Sequence, residues 1–112
     1  MMGVDPNQFA EKIMPLGVAA LGINCGKSLE DNLEALNELS QVTYLPIWFK
    51  PNAGLPKIDA EGNTSYDVSP EDMASHVSKW IENGARIIGG CCGTTPQHLK
   101  AIHDALTAQK VL

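Results

Sequence analysis

Three short apolar runs alternate with helix-like patterns along this chain, and that alternation restricts the possible folds more than any other feature. We expect strands at residues 18–25, 43–49 and 85–90. The first run is apolar at nearly every position, which is typical of a strand covered on both faces of a parallel sheet. Strands that alternate with helices pair in parallel through right-handed crossovers. The pattern therefore predicts an α/β fold with helices packed on a parallel sheet.

Capping signals and the spacing of apolar residues predict four helices. Each helix start is marked by an Asp-Pro, Ser-Pro or Thr-Pro pair, or by a serine that precedes acidic residues. The helices are expected within residues 6–17, 28–39, 69–83 and 95–106. Residues 55–67 contain Pro, Gly, Asn and Asp without any period, so we expect a long loop there, of the kind that carries functional residues.

Composition narrows the class of protein. Its 112 residues, of which 44% are hydrophobic, suit a single domain that spans residues 1–112. A formal net charge of -5 and scattered basic residues argue against nucleic acid or an anionic membrane surface as a partner. No apolar run reaches the roughly 20 residues of a membrane span. Three cysteines, an odd number, do not suit a disulfide framework, so we expect a cytoplasmic protein with reduced thiols.

The cysteines lie where chemistry is expected in an α/β fold. Cys25 ends the first predicted strand, and Cys91 and Cys92 follow the third in the run Gly-Gly-Cys-Cys-Gly-Thr-Thr-Pro. Because parallel strands end at one edge of a sheet, the three thiols can form one site, which suits zinc and leaves a fourth position for substrate. Alternatively, Cys25 is a buried core thiol, and the adjacent pair forms a vicinal disulfide or a redox centre.

Five further residues near the strand ends are candidates for substrate contact: Asn24, Asn52, Gly90, Gly93 and Thr94. Both asparagines follow strands and could instead cap turns. The glycines allow close approach of the backbone to a ligand. Thr94 and Thr95 are expected to offer free N–H groups at a helix start, where a carboxylate would be stabilised.

Other side chains give weaker signals. The histidines have no second ligand at a suitable spacing and are expected to be solvated: His76, His98 and His103. The large apolar side chains are expected to pack in the protein rather than contact a cofactor: Trp48, Met73 and Trp80.

Three segments together resemble the homocysteine S-methyltransferase family of zinc-dependent (β/α)8 barrels. They are Gly-Ile-Asn-Cys at residues 22–25, Pro-Asn-Ala-Gly-Leu-Pro at 51–56 and Gly-Gly-Cys-Cys-Gly-Thr-Thr-Pro at 89–96. In that family one cysteine after the sixth strand and two after the eighth bind zinc, which implies Cys25, Cys91 and Cys92 here. Within the family, the run Asn-Ala-Gly-Leu-Pro at residues 52–56 most resembles the homocysteine domain of cobalamin-dependent methionine synthases.

The resemblance implies that the chain holds the carboxyl-terminal three β/α units of a (β/α)8 barrel, a partial barrel with parallel strands and helices outside. It implies the zinc- and homocysteine-binding part of a methyltransferase that methylates the homocysteine thiolate to give methionine. The methyl donor would be a cobalamin and methyltetrahydrofolate system, with cobalamin taking part indirectly. In relatives the groups that hold the homocysteine amino group lie in the preceding part of the barrel.

The resemblance therefore implies one of two partners besides homocysteine: a corrinoid protein, or the missing half of the barrel. Because three strands leave unpaired edges, we also expect the chain to associate with itself. The alternative is an inactive zinc-binding fragment, or a split subunit that needs its partner half. In either case the chain alone is expected to be inactive.

Overall fold

The computed structural model describes residues 5–109. Its helices are α1 (Pro6–Ile13), α2 (Leu29–Ser40), α3 (Pro70–Ala74), α4 (Val77–Glu82) and α5 (Pro96–Gln109), with a 3-10 turn at Met14–Leu16. Its strands are β1 (Leu21–Cys25), β2 (Ile47–Pro51), β3 (Lys57–Ile58), β4 (Thr64–Ser65) and β5 (Ala85–Ile88). In the described part of the chain, no helix is long and apolar enough to cross a membrane.

The main sheet has the order β1-β2-β5, and both of its pairings are parallel. The expected fold class, an α/β arrangement of consecutive β/α units with parallel strands and helices outside them, is therefore confirmed. The strand boundaries differ from those predicted. Pro46 has no N–H to donate, and its carbonyl accepts a bond from the Leu21 N–H, so the ladder begins at residues 21 and 47 rather than at 18 and 43. The third strand ends at Ile88, before the glycines.

The predicted helix at 69–83 is two helices, which meet at Ser75 and His76. The Ser75 hydroxyl donates to the Asp72 carbonyl at 2.6 Å, and the His76 Nδ1 lies 2.7 Å from the same oxygen. Side chains that bind nearby backbone groups compete with helical hydrogen bonds, which accounts for the break. The first helix is likewise shorter than predicted, because the 3-10 turn completes it before Gly17, which has a φ of +78°.

The expected loop at 55–67 contains a small antiparallel hairpin formed by β3 and β4. Its turn is held by the Asp59 carboxylate, which accepts bonds from the N–H groups of Glu61 and Asn63, each at 2.9 Å. These donors lower the pKa of Asp59.

One face of the main sheet is buried against the helices. Phe49 and Trp80 are fully buried there, with ring centroids 5.0 Å apart, and Met73 joins them, so the packing expected for Trp80 and Met73 is confirmed. Ile47 and Ala85, which are partners in the register, lie on the same face.

Within residues 5–109 the opposite face is half-buried or exposed, and we call it the uncovered sheet face; it comprises Gly22, Asn24, Trp48, Lys50 and Ile87. Trp48 packs here rather than in the core. Its ring lies so close to Gly22 that a Cβ at that position would be 1.8 Å from the indole. The Lys50 ammonium lies 4.5 Å from the centre of the Trp48 ring, within the range of a cation–π contact.

Candidate metal centre

The three cysteines converge at the carboxyl edge of the main sheet. Their Sγ atoms all lie within 4.8 Å of one another, and those of Cys25 and Cys91 are 2.9 Å apart. All three are free thiols; Cys25 and Cys91 are half-buried, whereas Cys92 is exposed. The expectation that the parallel sheet brings these residues together is thus met. A vicinal disulfide between Cys91 and Cys92 is not formed.

Cys25 reaches this position through an unusual backbone conformation. Its φ is +62°, and Cys25 is the single non-glycine residue with a positive φ in the described range 5–109. Left-handed backbone costs about 1–2 kcal/mol for a residue with a Cβ, so surrounding contacts must stabilise it. The Cys25 carbonyl accepts bonds from the side-chain amide of Asn32, at 2.5 Å, and from the Asn52 N–H, at 3.3 Å.

The second turn carries Cys91 and Cys92. The Cys91 N–H donates to the Pro51 carbonyl at 3.0 Å, which extends the sheet's bonding beyond the last strand residue. Gly93 follows with a φ of +80°, and a Cβ there would lie 2.3 Å from the Tyr66 ring. This position therefore requires glycine twice over, for its backbone conformation and for the space that Tyr66 takes.

The amide donors expected beside the cysteines are already engaged. The Thr94 N–H and hydroxyl both donate to the Cys91 carbonyl, at 3.1 and 2.6 Å. The Thr95 N–H donates to the His98 Nδ1 at 3.1 Å. The prediction that Thr94 and Thr95 offer free N–H groups for a carboxylate is therefore wrong, because the turn and the helix cap use them internally.

His98 is 6% exposed, so the prediction that it is solvated is also wrong. It occupies the third position of α5 and completes a capping box, since its own N–H lies 3.3 Å from the Thr95 hydroxyl. Its Nε2 lies 2.7 Å from the Val68 carbonyl. Because Nδ1 accepts from Thr95, the ring is the tautomer whose Nε2 carries the proton and donates to Val68. His98 thus joins the loop before α3 to the start of α5.

The other candidate residues surround the thiols. The exposed Asn24 has its amide nitrogen 3.5 Å from the Cys25 Sγ. The Asn52 side chain lies between the two cysteine turns, bonded to Gly26 and Cys92. Gly90 packs against Thr94, where a Cβ would lie 2.5 Å from the threonine side chain. All five candidates for substrate contact are therefore close to the cysteines along the chain or in space.

Cys25 and Cys91 also shift one another's pKa. The hydrogen bond with Cys91, and then burial, raise the pKa of Cys25 to about 11. The same hydrogen bond lowers the pKa of Cys91 from its ordinary value, because it stabilises the Cys91 thiolate. In the metal-free chain Cys91 therefore loses its proton before Cys25 does, and the Cys25 thiol is the donor in the bond between them.

This donor set fits a thiophilic metal ion. Three thiol sulfurs from two turns converge with one side accessible, and zinc in enzymes is commonly held by three protein ligands. No carboxylate or imidazole joins the cluster in the described part of the chain. Sulfur alone favours zinc or another soft metal over magnesium or calcium.

Comparison with known proteins agrees with this geometry. A model of the family described as homocysteine S-methyltransferase matches residues 1–106. Methionine synthases of Mycobacterium leprae and Mycobacterium tuberculosis are each 35% identical over 107 residues, which is 95% of this chain. The chain spans 9% of the length of these relatives.

Solved structures of the homocysteine methyltransferase MmuM from Escherichia coli are also similar. The metallated form is 37% identical to this chain, with a TM-score of 0.59. The matched region is 78% of this chain and 24% of the MmuM chain. The apo form is 32% identical with a TM-score of 0.68, covering 88% and 32%. The oxidised form is 31% identical with a TM-score of 0.70, covering 91% and 30%. The chain belongs to the homocysteine S-methyltransferase family.

Proposed function

We propose that Cys25, Cys91 and Cys92 bind one zinc ion, and that this chain is the zinc- and homocysteine-binding part of a methyltransferase that forms methionine. The observation that carries the proposal is the approach of all three Sγ atoms to within 4.8 Å of one another. The relatives of the chain include a methionine synthase and a metallated homocysteine methyltransferase, which supports this substrate and the binding of a metal.

A zinc ion held by three cysteinates would act as a Lewis acid that keeps a substrate thiol deprotonated and reactive near neutral pH. The protein's part is to deliver three sulfurs from two turns. The pKa of the Cys91 thiol is already lowered, whereas that of the Cys25 thiol is raised to about 11. Cys25 must therefore lose a proton when it binds a metal. Metal binding must therefore release protons, and it becomes weaker as the pH falls.

Homocysteine would approach from the exposed side of the cluster, where Cys92 and Asn24 are accessible. Asn24, Asn52, Gly90, Gly93 and Thr94 are the proposed contacts. Asn24 offers the most accessible polar side chain among them, with its amide 3.5 Å from the Cys25 sulfur. Since the N–H groups of Thr94 and Thr95 are engaged, a carboxylate would have to find other donors, from Asn24 or from outside this chain.

The proposed methyl donor is a cobalamin and methyltetrahydrofolate system, as the similarity to methionine synthases suggests. In the reaction the homocysteine sulfur forms a bond to the methyl carbon while the bond between that carbon and its carrier breaks. A corrinoid-bearing protein or domain, or a further part of the barrel, is the proposed partner. We further propose that residues 1–112 act as one partial domain.

A second candidate function rests on the small share of the solved relatives that the chain covers, 24–32% of their length. It would be a zinc-binding unit that is inactive without a partner half. The two functions differ in whether homocysteine binds to the zinc-loaded chain.

Isothermal titration of homocysteine into the zinc-loaded chain tests the proposal. We expect saturable binding with release of a proton, detected as a heat that changes with the ionisation enthalpy of the buffer. Methionine, which has no thiol proton, and the zinc-free chain are the matched controls and should show no such binding. A zinc-loaded chain that does not bind homocysteine would favour the purely structural zinc unit.

A further inference from the structure

The Asn52 side chain uses both ends of its amide on backbone groups of different turns. Its Nδ2 donates to the Gly26 carbonyl at 3.0 Å, next to Cys25. Its Oδ1 accepts from the Cys92 N–H at 2.8 Å. These two bonds connect positions that are 26 residues before and 40 residues after Asn52 in the chain.

The backbone around Asn52 strengthens the same connection. Its own N–H donates to the Cys25 carbonyl at 3.3 Å, and the next N–H, that of Ala53, donates to the Cys92 carbonyl at 2.9 Å. On the preceding residue, the Pro51 carbonyl accepts from Cys91. Each of the three cysteines therefore has a backbone group bonded to the short segment at residues 51–53.

This arrangement matters because the sheet alone does not fix the thiols. Cys25 is the last residue of β1 and has a φ of +62°, and Cys91 lies beyond the last residue of β5, so both turns begin where the regular ladder ends. Asn32 holds only the Cys25 turn, through the Cys25 carbonyl. Among the residues that the structure describes, and apart from the cysteines themselves, Asn52 is the side chain that bonds to both turns. Its loss would leave only the backbone bonds of residues 51–53 and the contact between Cys25 and Cys91 to set their separation.

We propose that Asn52 is the positioning residue of the metal centre, acting through a two-ended amide bridge that sets the distance between the Cys25 turn and the Cys91–Cys92 turn. The inference rests on the proposed metal function of these cysteines. This positioning role is additional to the substrate contact proposed above for Asn52, because both polar ends of the amide already bond to backbone groups of the protein.

The test compares cobalt affinity of the wild-type chain with that of Asn52→Ala and Asn52→Gln, by competition with a chelator and by the sulfur-to-cobalt absorption band. Glutamine keeps both polar groups but moves them by one methylene, so it cannot form both bonds in place. Loss of an outer contact typically weakens metal binding about 10–100-fold, and we expect this for both variants, with a weaker band.

Asn37→Ala is the matched control. The Asn37 amide also links two separate segments, through a 2.6 Å bond to the Asn83 side chain, at the opposite edge of the sheet. Asn37→Ala should lose about as much stability as Asn52→Ala but keep the cobalt affinity of the wild-type chain. Unchanged affinity in Asn52→Gln, or an equal loss in Asn37→Ala, would overturn the proposal.

A metal-free readout separates this inference from the proposed function. Phenylarsine oxide condenses with two neighbouring thiols, forming two As–S bonds and releasing water. Wild type should bind it tightly and Asn52→Ala more weakly, and equal binding by both would overturn the inference. If wild type binds the arsenical but no cobalt or zinc, the proposed function fails while the bridge is still tested.

Discussion

The sulfur atoms of Cys25 and Cys91 lie 2.9 Å apart although 66 positions separate the residues in the chain. No local motif could produce this contact. It arises because β1 and β5 flank β2 in a parallel sheet, so that the turns after both outer strands meet above the end of the central one. The candidate metal centre is therefore a product of the fold rather than of a local motif.

Zinc binding should depend on cysteines from both turns. The purified chain is expected to hold about one zinc ion, as a site with three protein ligands would. Cys25→Ser should lose most of it, because a hydroxyl is a poor zinc ligand at neutral pH, and the Cys91→Ser, Cys92→Ser double variant should do the same. Elemental analysis measures the stoichiometry. Full zinc content in either variant would show that the metal is bound elsewhere.

In the metal-free chain, Cys91 should be alkylated before Cys25. The pKa of Cys91 is lowered and that of Cys25 is raised to about 11, so at neutral pH Cys91 has the larger thiolate fraction. Raising the pH toward 11 should increase the rate at Cys25 most. Mass spectrometry after brief iodoacetamide treatment identifies the modified site.

Cys91→Ala is the control for this order. It removes the bond and the charge that raise the pKa of Cys25, so Cys25 should react faster at neutral pH than it does in the wild-type chain. An unchanged rate at Cys25 would mean that the two thiols do not interact in solution.

The chain should self-associate through the uncovered sheet face. In the described residues β1 and β5 pair only with β2, and Ile87 on that face is 55% exposed. Open edges and exposed apolar side chains favour association. Sedimentation should therefore show dimers or larger species, and Ile87→Glu should shift them toward monomer. Ile58→Glu, at an exposed position on the hairpin, is the control; a compact wild-type monomer would contradict the prediction.

His98→Ala should destabilise the fold. It removes the buried bond to Val68 and half of the capping box with Thr95, and unsatisfied buried groups cost about 1–3 kcal/mol each. Chemical denaturation of metal-free protein measures the change. His98→Gln is informative because glutamine can complete a capping box but does not reproduce the ring's bond to Val68. We expect an intermediate loss, and wild-type stability in His98→Ala would show that neither bond matters.

The sequence was sufficient to predict the order of the three strands of the main sheet and of the helical segments around them, and the meeting of the three cysteines, but not the β3–β4 hairpin. Both follow from one rule, that parallel strands end at the same edge, and this rule needs only the approximate positions of strands. Boundaries were less accurate, because they depend on single contacts. Pro46 delays the second strand, and the side chains of Ser75 and His76 interrupt the third predicted helix.

The residues that support the site were missed, although two of them had a signal. Asn32 falls on the leucine stripe of α2, three residues after Leu29 and four before Leu36, where a polar residue must find a buried partner. His98 stands three residues after Thr95, the position of the second residue in a capping box. The positive φ of Cys25 had no such signal, because it results from contacts with residues distant in the chain.

X-ray absorption at the zinc edge tests the central claim most directly, since it counts the sulfur neighbours of the metal. For the zinc-loaded chain we predict three sulfur atoms and one light atom, and a change to four sulfur atoms when homocysteine is added at saturation. Fewer than three sulfur atoms without homocysteine would contradict the assignment of Cys25, Cys91 and Cys92 as ligands. Three sulfur atoms that do not change on adding homocysteine would contradict the proposed role of the site in binding the substrate thiol.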